Sequence, residues 1–133
     1  MRFLGWIDDK PGFFGALDVF CVPSRAEPFG IVVLEALAHG RAVVASAAAG
    51  PREIVRDGID GLLVPPASPP ALAEALGALL DDRERRLALA RAGRATVETR
   101  FDLPVVARTI SAVLTQVAMR HLAGAPGATT CSG

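Results

Sequence analysis

The sequence predicts an α/β domain with a parallel sheet and helices on both faces. Three observations carry this. Short apolar runs, Val19-Phe20-Cys21-Val22, Ala42-Val43-Val44-Ala45-Ser46 and Leu62-Leu63-Val64, alternate with longer segments of helical period. The first run is continuously apolar, the pattern of a strand covered on both sides. Turn-forming residues stand at the joints: Pro23, Gly40 and Pro65-Pro66.

Taken in order, Arg2-Phe3-Leu4 reads as a short strand and Gly5-Trp6 as a turn. Asp8 to Leu17 reads as a short helix interrupted by glycine, with Phe13 and Phe14 as packing residues. Trp6 reads as a core residue at a strand end. Asp18 to Val22 is a buried strand, and Cys21 in it is a small buried hydrophobe. A helix runs from about Ile31 and ends at Gly40, with His39 in its last turn, where a cation favours the helix dipole. After the strand at Ala42–Ser46, Pro51 fits the first turn of another helix. Asp57 to Gly61 is a turn before the strand at Leu62. Ser68 is expected to cap a helix over 69–80 with Pro69 at its first position. Leu72, Leu76, Leu79 and Leu80 mark its buried face. Asp82 is expected to cap a helix over 83–98, and a last helix covers 103–122. Four strands are counted, near Phe3, Val19, Val43 and Leu63. Doubly wound α/β domains have about six, so the others are expected ahead of Phe3.

The stretch that points to chemistry is Glu27-Pro28-Phe29-Gly30-Ile31-Val32-Val33-Leu34-Glu35. Pro28 pushes Glu27 to extended backbone, so Glu27 belongs to a loop and Glu35 to the following helix. Gly30 then falls near the helix start, where a backbone without a Cβ lets a ligand come close. The first amides of a helix have no partners within it, and with the helix dipole they suit a phosphate. Two carboxylates flanking such a cradle can accept hydroxyls, which suits a phosphorylated sugar or nucleotide. The loop follows a strand, where open α/β sheets bind ligands. Arg25 reads as a surface arginine within reach of a phosphate.

Composition narrows the classes. A chain of 133 residues is one domain in size. Zero formal net charge gives no general attraction to nucleic acid or anionic membrane. Apolar residues reach 51%, high for this size, so an uncovered face is expected. Two cysteines make no disulfide framework, and no zinc spacing is present. No secretory signal opens the chain. The apolar stretch Thr109 to Met119 falls short of the ~20 residues a transmembrane segment needs. A cytoplasmic protein, at most peripheral to a membrane, is expected.

Asp18 to Ser24, Glu27 to Gly30 through Glu35-Ala36, and His39 to Ser46 together resemble the nucleotide-sugar half of retaining GT-B glycosyltransferases. That group is called family 4, or glycosyltransferase group 1. The Glu-x7-Glu signature within the longer pattern is specific, and the resemblance runs from about Phe3 to Arg100. It implies a Rossmann-like, partial C-terminal half of a GT-B fold over residues 1–123, with 124–133 a disordered tail. It also implies transfer of a sugar from a nucleoside-diphosphate sugar to an acceptor hydroxyl with retention. By the same resemblance Glu27 is the catalytic candidate and holds sugar hydroxyls. Phe29, Gly30, Ile31, Val32, Glu35 and Gly50 bind the donor, with Glu35 on the ribose. Gly5 and Trp6 would border the base. The family places two glycines before the helix at Pro51; here Ala49 replaces the first and Gly50 remains.

No metal and no cofactor besides the donor substrate is expected. The family's diphosphate-clamping Arg and Lys, and its acceptor domain, match nothing here. An N-terminal acceptor domain or a complementary chain is therefore the expected partner, with the chain inactive alone. The alternative is a non-catalytic α/β module binding a nucleotide or a protein. A sugar-nucleotide epimerase is a third reading, against which the Glu-x7-Glu string speaks.

Overall fold

The structure is a computed structural model that describes residues 2–123. Its elements are α1 (Lys10–Gly15), β1 (Val19–Val22), α2 (Ile31–Ala38), β2 (Ala42–Ser46), α3 (Ala49–Ile54), β3 (Leu62–Val64), α4 (Pro69–Asp81), α5 (Arg83–Arg100) and α6 (Leu103–Ala123). The chain divides into two compact units, Met1–Thr99 and Arg100–Gly133. The expected tail over 124–133 lies outside the described residues.

In the first unit the three strands form one parallel sheet in the order β1-β2-β3. Val19 pairs with Ala42 at one end of the β1–β2 register and Val22 with Ala45 at the other. Val44 to Ser46 pair with Leu62 to Val64. Parallel neighbours need crossovers, and α2 and α3 lie in them. All five residues of β2 are buried, so both faces of the sheet are covered at its centre. On one face Ala42, Val44, Leu62 and Val64 pack with Leu79 of α4 and with Leu89 and Ala90 of α5. Val43 and Ala45 point the other way by strand alternation. Along β2 lies α2, with Val33, Ala36 and Leu37 fully buried. This is the Rossmann-like α/β arrangement, and it matches the partial GT-B fold.

Two expectations about strands are corrected. Residues 2–7 form no strand. A strand needs a ladder partner, and none among the described residues offers one. Phe3 and Trp6 are accordingly 86% and 89% exposed, so Trp6 is no core residue. The sheet therefore shows three strands rather than four. β1 is half-buried over Val19 to Cys21, not fully buried, because it is the edge of this sheet. Cys21 is half-buried with it.

Helix ends follow their local chemistry. The Asp9 carboxylate accepts the Gly12 amide at 2.9 Å and caps α1. α2 closes with Gly40 N–H donating to Leu37 O and Arg41 N–H to Ala36 O, a Schellman end. His39 sits there with Nδ1 2.8 Å from Glu35 O, its ring stacked on Phe14 with centroids 4.7 Å apart. Asp82 caps α5 through the Arg85 amide at 2.9 Å. The Ser68 hydroxyl, in contrast, caps nothing. Pro69 and Pro70 follow it, and neither has an N–H to give.

Asp60 is wholly buried in the turn before β3. Its Oδ1 accepts the Arg56 amide at 2.6 Å. Its Oδ2 accepts Arg56 Nε at 2.7 Å and the Thr96 hydroxyl at 2.8 Å. This network ties the β3 turn to α5.

In the second unit, α6 begins at Asp102, whose carboxylate accepts the Leu103 amide at 2.9 Å. Val106, Ile110, Val113 and Leu114 are exposed along it. Among the described residues no helix is long and apolar enough to cross a membrane.

Candidate functional site

Glu27 lies in the loop after β1 and Glu35 on α2, as the proline argument requires. Gly30 is the residue before α2, with a left-handed φ of 91°. A Cβ there would sit at ordinary contact distance, 3.4 Å from the nearest atom, so space is not the constraint. The positive φ is, and it turns the chain from the loop into the helix.

The start of α2 is built from that turn. Gly30 N–H donates to Glu27 Oε1 at 2.9 Å. Gly30 O accepts from Val33 N–H at 2.9 Å and Leu34 N–H at 3.3 Å. The amides of Ile31 and Val32 have no partner among the described residues. Around them Phe29, Ile31 and Val32 are 54%, 62% and 41% exposed. Two free amides, a helix dipole and a rim of exposed apolar side chains therefore meet on one open turn.

Gly50 serves this loop from behind. It lies in the first turn of α3 and donates its N–H to Glu27 O at 2.8 Å. Its Cα is so close to the loop that a Cβ would stand 2.3 Å from the Phe29 carbonyl carbon. Ala49, standing where the family has its first glycine, is helical and unstrained. Among described non-glycine residues only Ala67 has a positive φ.

Glu35 is held by a residue that sequence reasoning passed over. Lys10 Nζ lies 2.5 Å from Glu35 Oε1. Lys10 is the single lysine of the chain. The partners are 25 residues apart, and no motif links them, so only the fold reveals the pair. For both Glu27 and Glu35, one carboxylate oxygen is engaged and Oε2 has no partner among the described residues.

A cleft of about 230 Å³ opens past the ends of the strands, among Pro23, Arg25, Ser46, Val64, Ser68 and their neighbours. Among the described residues Arg25 has no ion-pair or hydrogen-bond partner. A larger concavity of about 610 Å³ runs along α5 from Asp82 to Arg91. One charged stretch beside a single helix walls it, and it shares no residue with the Glu27–Glu35 segment. Among the described residues no group of three or more His, Cys, Asp or Glu is placed to hold a metal ion.

A family model described as "Glycosyl transferases group 1" matches residues 1–82. The chain belongs to that family of glycosyltransferases. It is 44% identical over 121 residues to the phosphatidyl-myo-inositol mannosyltransferase of Mycobacterium leprae, covering 89% of this chain and 32% of that protein. It is 39% identical over 101 residues to LpsE, a lipopolysaccharide core biosynthesis glycosyltransferase of Rhizobium meliloti, covering 76% and 30%. The chain thus spans about a third of the length of these relatives. Among solved structures it is similar to Anabaena HepE in complex with UDP and glucose, with a TM-score of 0.79 and 32% identity over 86% of this chain and 31% of that one. It also matches the C-terminal domain of LpcC from Francisella tularensis, with a TM-score of 0.69 and 33% identity over 77% and 53%.

Proposed function

We propose that this chain is the donor-binding portion of a retaining glycosyltransferase of family 4. It holds a nucleoside-diphosphate sugar whose sugar passes to an acceptor hydroxyl. The observation that carries this is the pair of unpartnered amides at Ile31 and Val32, flanked by Glu27 and Glu35. The relatives' sugar-transfer names and the UDP and glucose bound by Anabaena HepE support it.

Each residue then has a task. The Ile31 and Val32 amides take a phosphate oxygen, while Gly30 shapes the turn and gives its own amide to Glu27. Phe29 and Ile31 pack on the donor. Glu27 Oε2 accepts a sugar hydroxyl beside the reacting carbon, and Glu35 Oε2 accepts the ribose hydroxyls. Gly50 fixes the loop against α3. As the glycosidic bond to the diphosphate breaks, negative charge grows on the leaving phosphate and positive character grows at the anomeric carbon. Amides already aimed at that charge stabilise it, each donor contributing about 3 kcal/mol. In this scheme helix amides do the work, and no metal or further cofactor is assigned. A transfer cleft needs two walls to align its reactants. These residues form one, so the chain alone binds donor without transferring sugar, and an acceptor-binding domain or chain is its partner.

Isothermal titration of the chain with UDP, GDP and ADP tests this. At least one should bind, and Glu35→Ala should weaken it about tenfold. If a folded sample binds none of the three, the non-catalytic module is the better reading.

A further inference from the structure

Lys10 meets Glu35 from a well-anchored place. It is the first residue of α1, a helix capped by Asp9 through the Gly12 amide. Its own N–H donates to Asp8 O at 3.1 Å. Asp8 in turn accepts Trp6 Nε1 at 2.8 Å. The backbone under Lys10 is therefore set by local bonds before its side chain reaches α2. The pair itself is open to water, with side chains 56% and 29% exposed. Such pairs add little to stability, so holding α1 to α2 is a weak account of it. What it does change is the state of the Glu35 carboxylate. One oxygen is tied to the ammonium and the other is left to accept. A glutamate alone on a helix face samples several rotamers and must be ordered when a ligand binds.

Resting on the donor-binding reading above, we propose that Lys10 is a positioning residue for nucleotide recognition. It fixes the Glu35 carboxylate so that Oε2 is already placed for the vicinal hydroxyls of a ribose. The ligand class is then a ribonucleotide rather than any diphosphate. Pre-ordering one long side chain corresponds to about a threefold to tenfold gain in affinity.

The test compares, on the full chain, the nucleotide among UDP, GDP and ADP that binds with its 2′,3′-dideoxy counterpart. Both carry the same diphosphate, so their difference isolates the ribose hydroxyls. Lys10→Met should weaken the ribonucleotide about threefold to tenfold and leave the dideoxy compound within about twofold. Lys10→Arg should restore most of the loss. In a Glu35→Ala background, Lys10→Met should have no further effect. An equal loss against both compounds, which general charge attraction or a damaged fold would give, overturns the proposal. So does an unchanged or tighter ribonucleotide affinity. Failure of the unsubstituted chain to bind any of the three nucleotides overturns the donor-binding reading and this inference together. Binding that Lys10→Met leaves untouched overturns the inference alone.

Discussion

The Glu27 carboxylate accepts the Gly30 amide at 2.9 Å, so the first acid of the pair fastens the turn that leads into the helix carrying the second. One side chain thereby joins the fold of the loop to the donor binding proposed for it. Glu27→Gln keeps an acceptor oxygen and should leave stability nearly unchanged. Glu27→Ala removes it and should cost about 1 kcal/mol in urea unfolding. Nucleotide titration should follow the same order, because a frayed first turn no longer presents the Ile31 and Val32 amides.

Gly50→Ala should be damaging out of proportion to one methyl group. The new Cβ would meet the Phe29 carbonyl carbon and oxygen, both at 2.3 Å. Backbone cannot rotate away as a side chain can, so the loop must move. A loss of about 2 kcal/mol or more is expected, with nucleotide affinity falling as well. Gly77 in α4 is the control. Nothing lies within 4 Å of its added Cβ, and Gly77→Ala should stabilise by about 0.5–1 kcal/mol. Thermal melts of the two variants should move in opposite directions.

Asp60→Ala should be among the most destabilising single changes outside the apolar core. The Arg56 amide, the Arg56 guanidinium and the Thr96 hydroxyl would all lose their acceptor. The guanidinium is half-exposed and can turn to water. The buried hydroxyl has less freedom. A cost of about 3 kcal/mol in denaturant unfolding is expected. Thr96→Val keeps the shape but removes two bonds, the one given to Asp60 Oδ2 and the one accepted from Arg56 Nη2, and should cost about 1–2 kcal/mol.

Burial pushes the Cys21 thiol up from its ordinary value. The thiolate is the reactive form, so alkylation of Cys21 by iodoacetamide should be slower in the folded chain than after unfolding in urea. Peptide mapping at several pH values reads this directly. The sign for stability follows. The folded state favours the neutral thiol, so its contribution is intact below the unfolded thiol's pKa. It fades as pH rises from there through the folded one.

Much of the fold was legible because its signals are local. The apolar runs at Val19, Ala42 and Leu62 and the punctuation at Pro23, Gly40 and Pro65 depend only on neighbours in sequence. The strand expected at Phe3 failed for the opposite reason: pairing is a property of two segments, and the apolar letters of residues 2–7 name no partner. β1 looked fully buried from its letters, yet position at a sheet edge is not written in them. Ser68 has the residue type of a helix cap, but Pro70 withdraws one of its two donors and the hydroxyl takes up no bond from the other, at Ala71. In the site, the turn at Gly30 was legible from Pro28 and Gly30, while the capture of its amide by Glu27 was not. Lys10 was out of reach altogether, since its tie to Glu35 exists only once α1 and α2 are folded beside each other.

β2, paired on both edges and covered on both faces, has no route to solvent short of losing the whole sheet. Its amides should exchange hydrogen with deuterated water only through global opening, at rates set by the full unfolding free energy. The turn at Gly30 lies in the β1–β2 crossover and rests on that strand through α2, while Gly50 of α3 holds the loop before it. Slow exchange at Val43 and Val44, beside fast exchange at Ile31 and Val32, would describe a turn that is unprotected at its lip and anchored at its root.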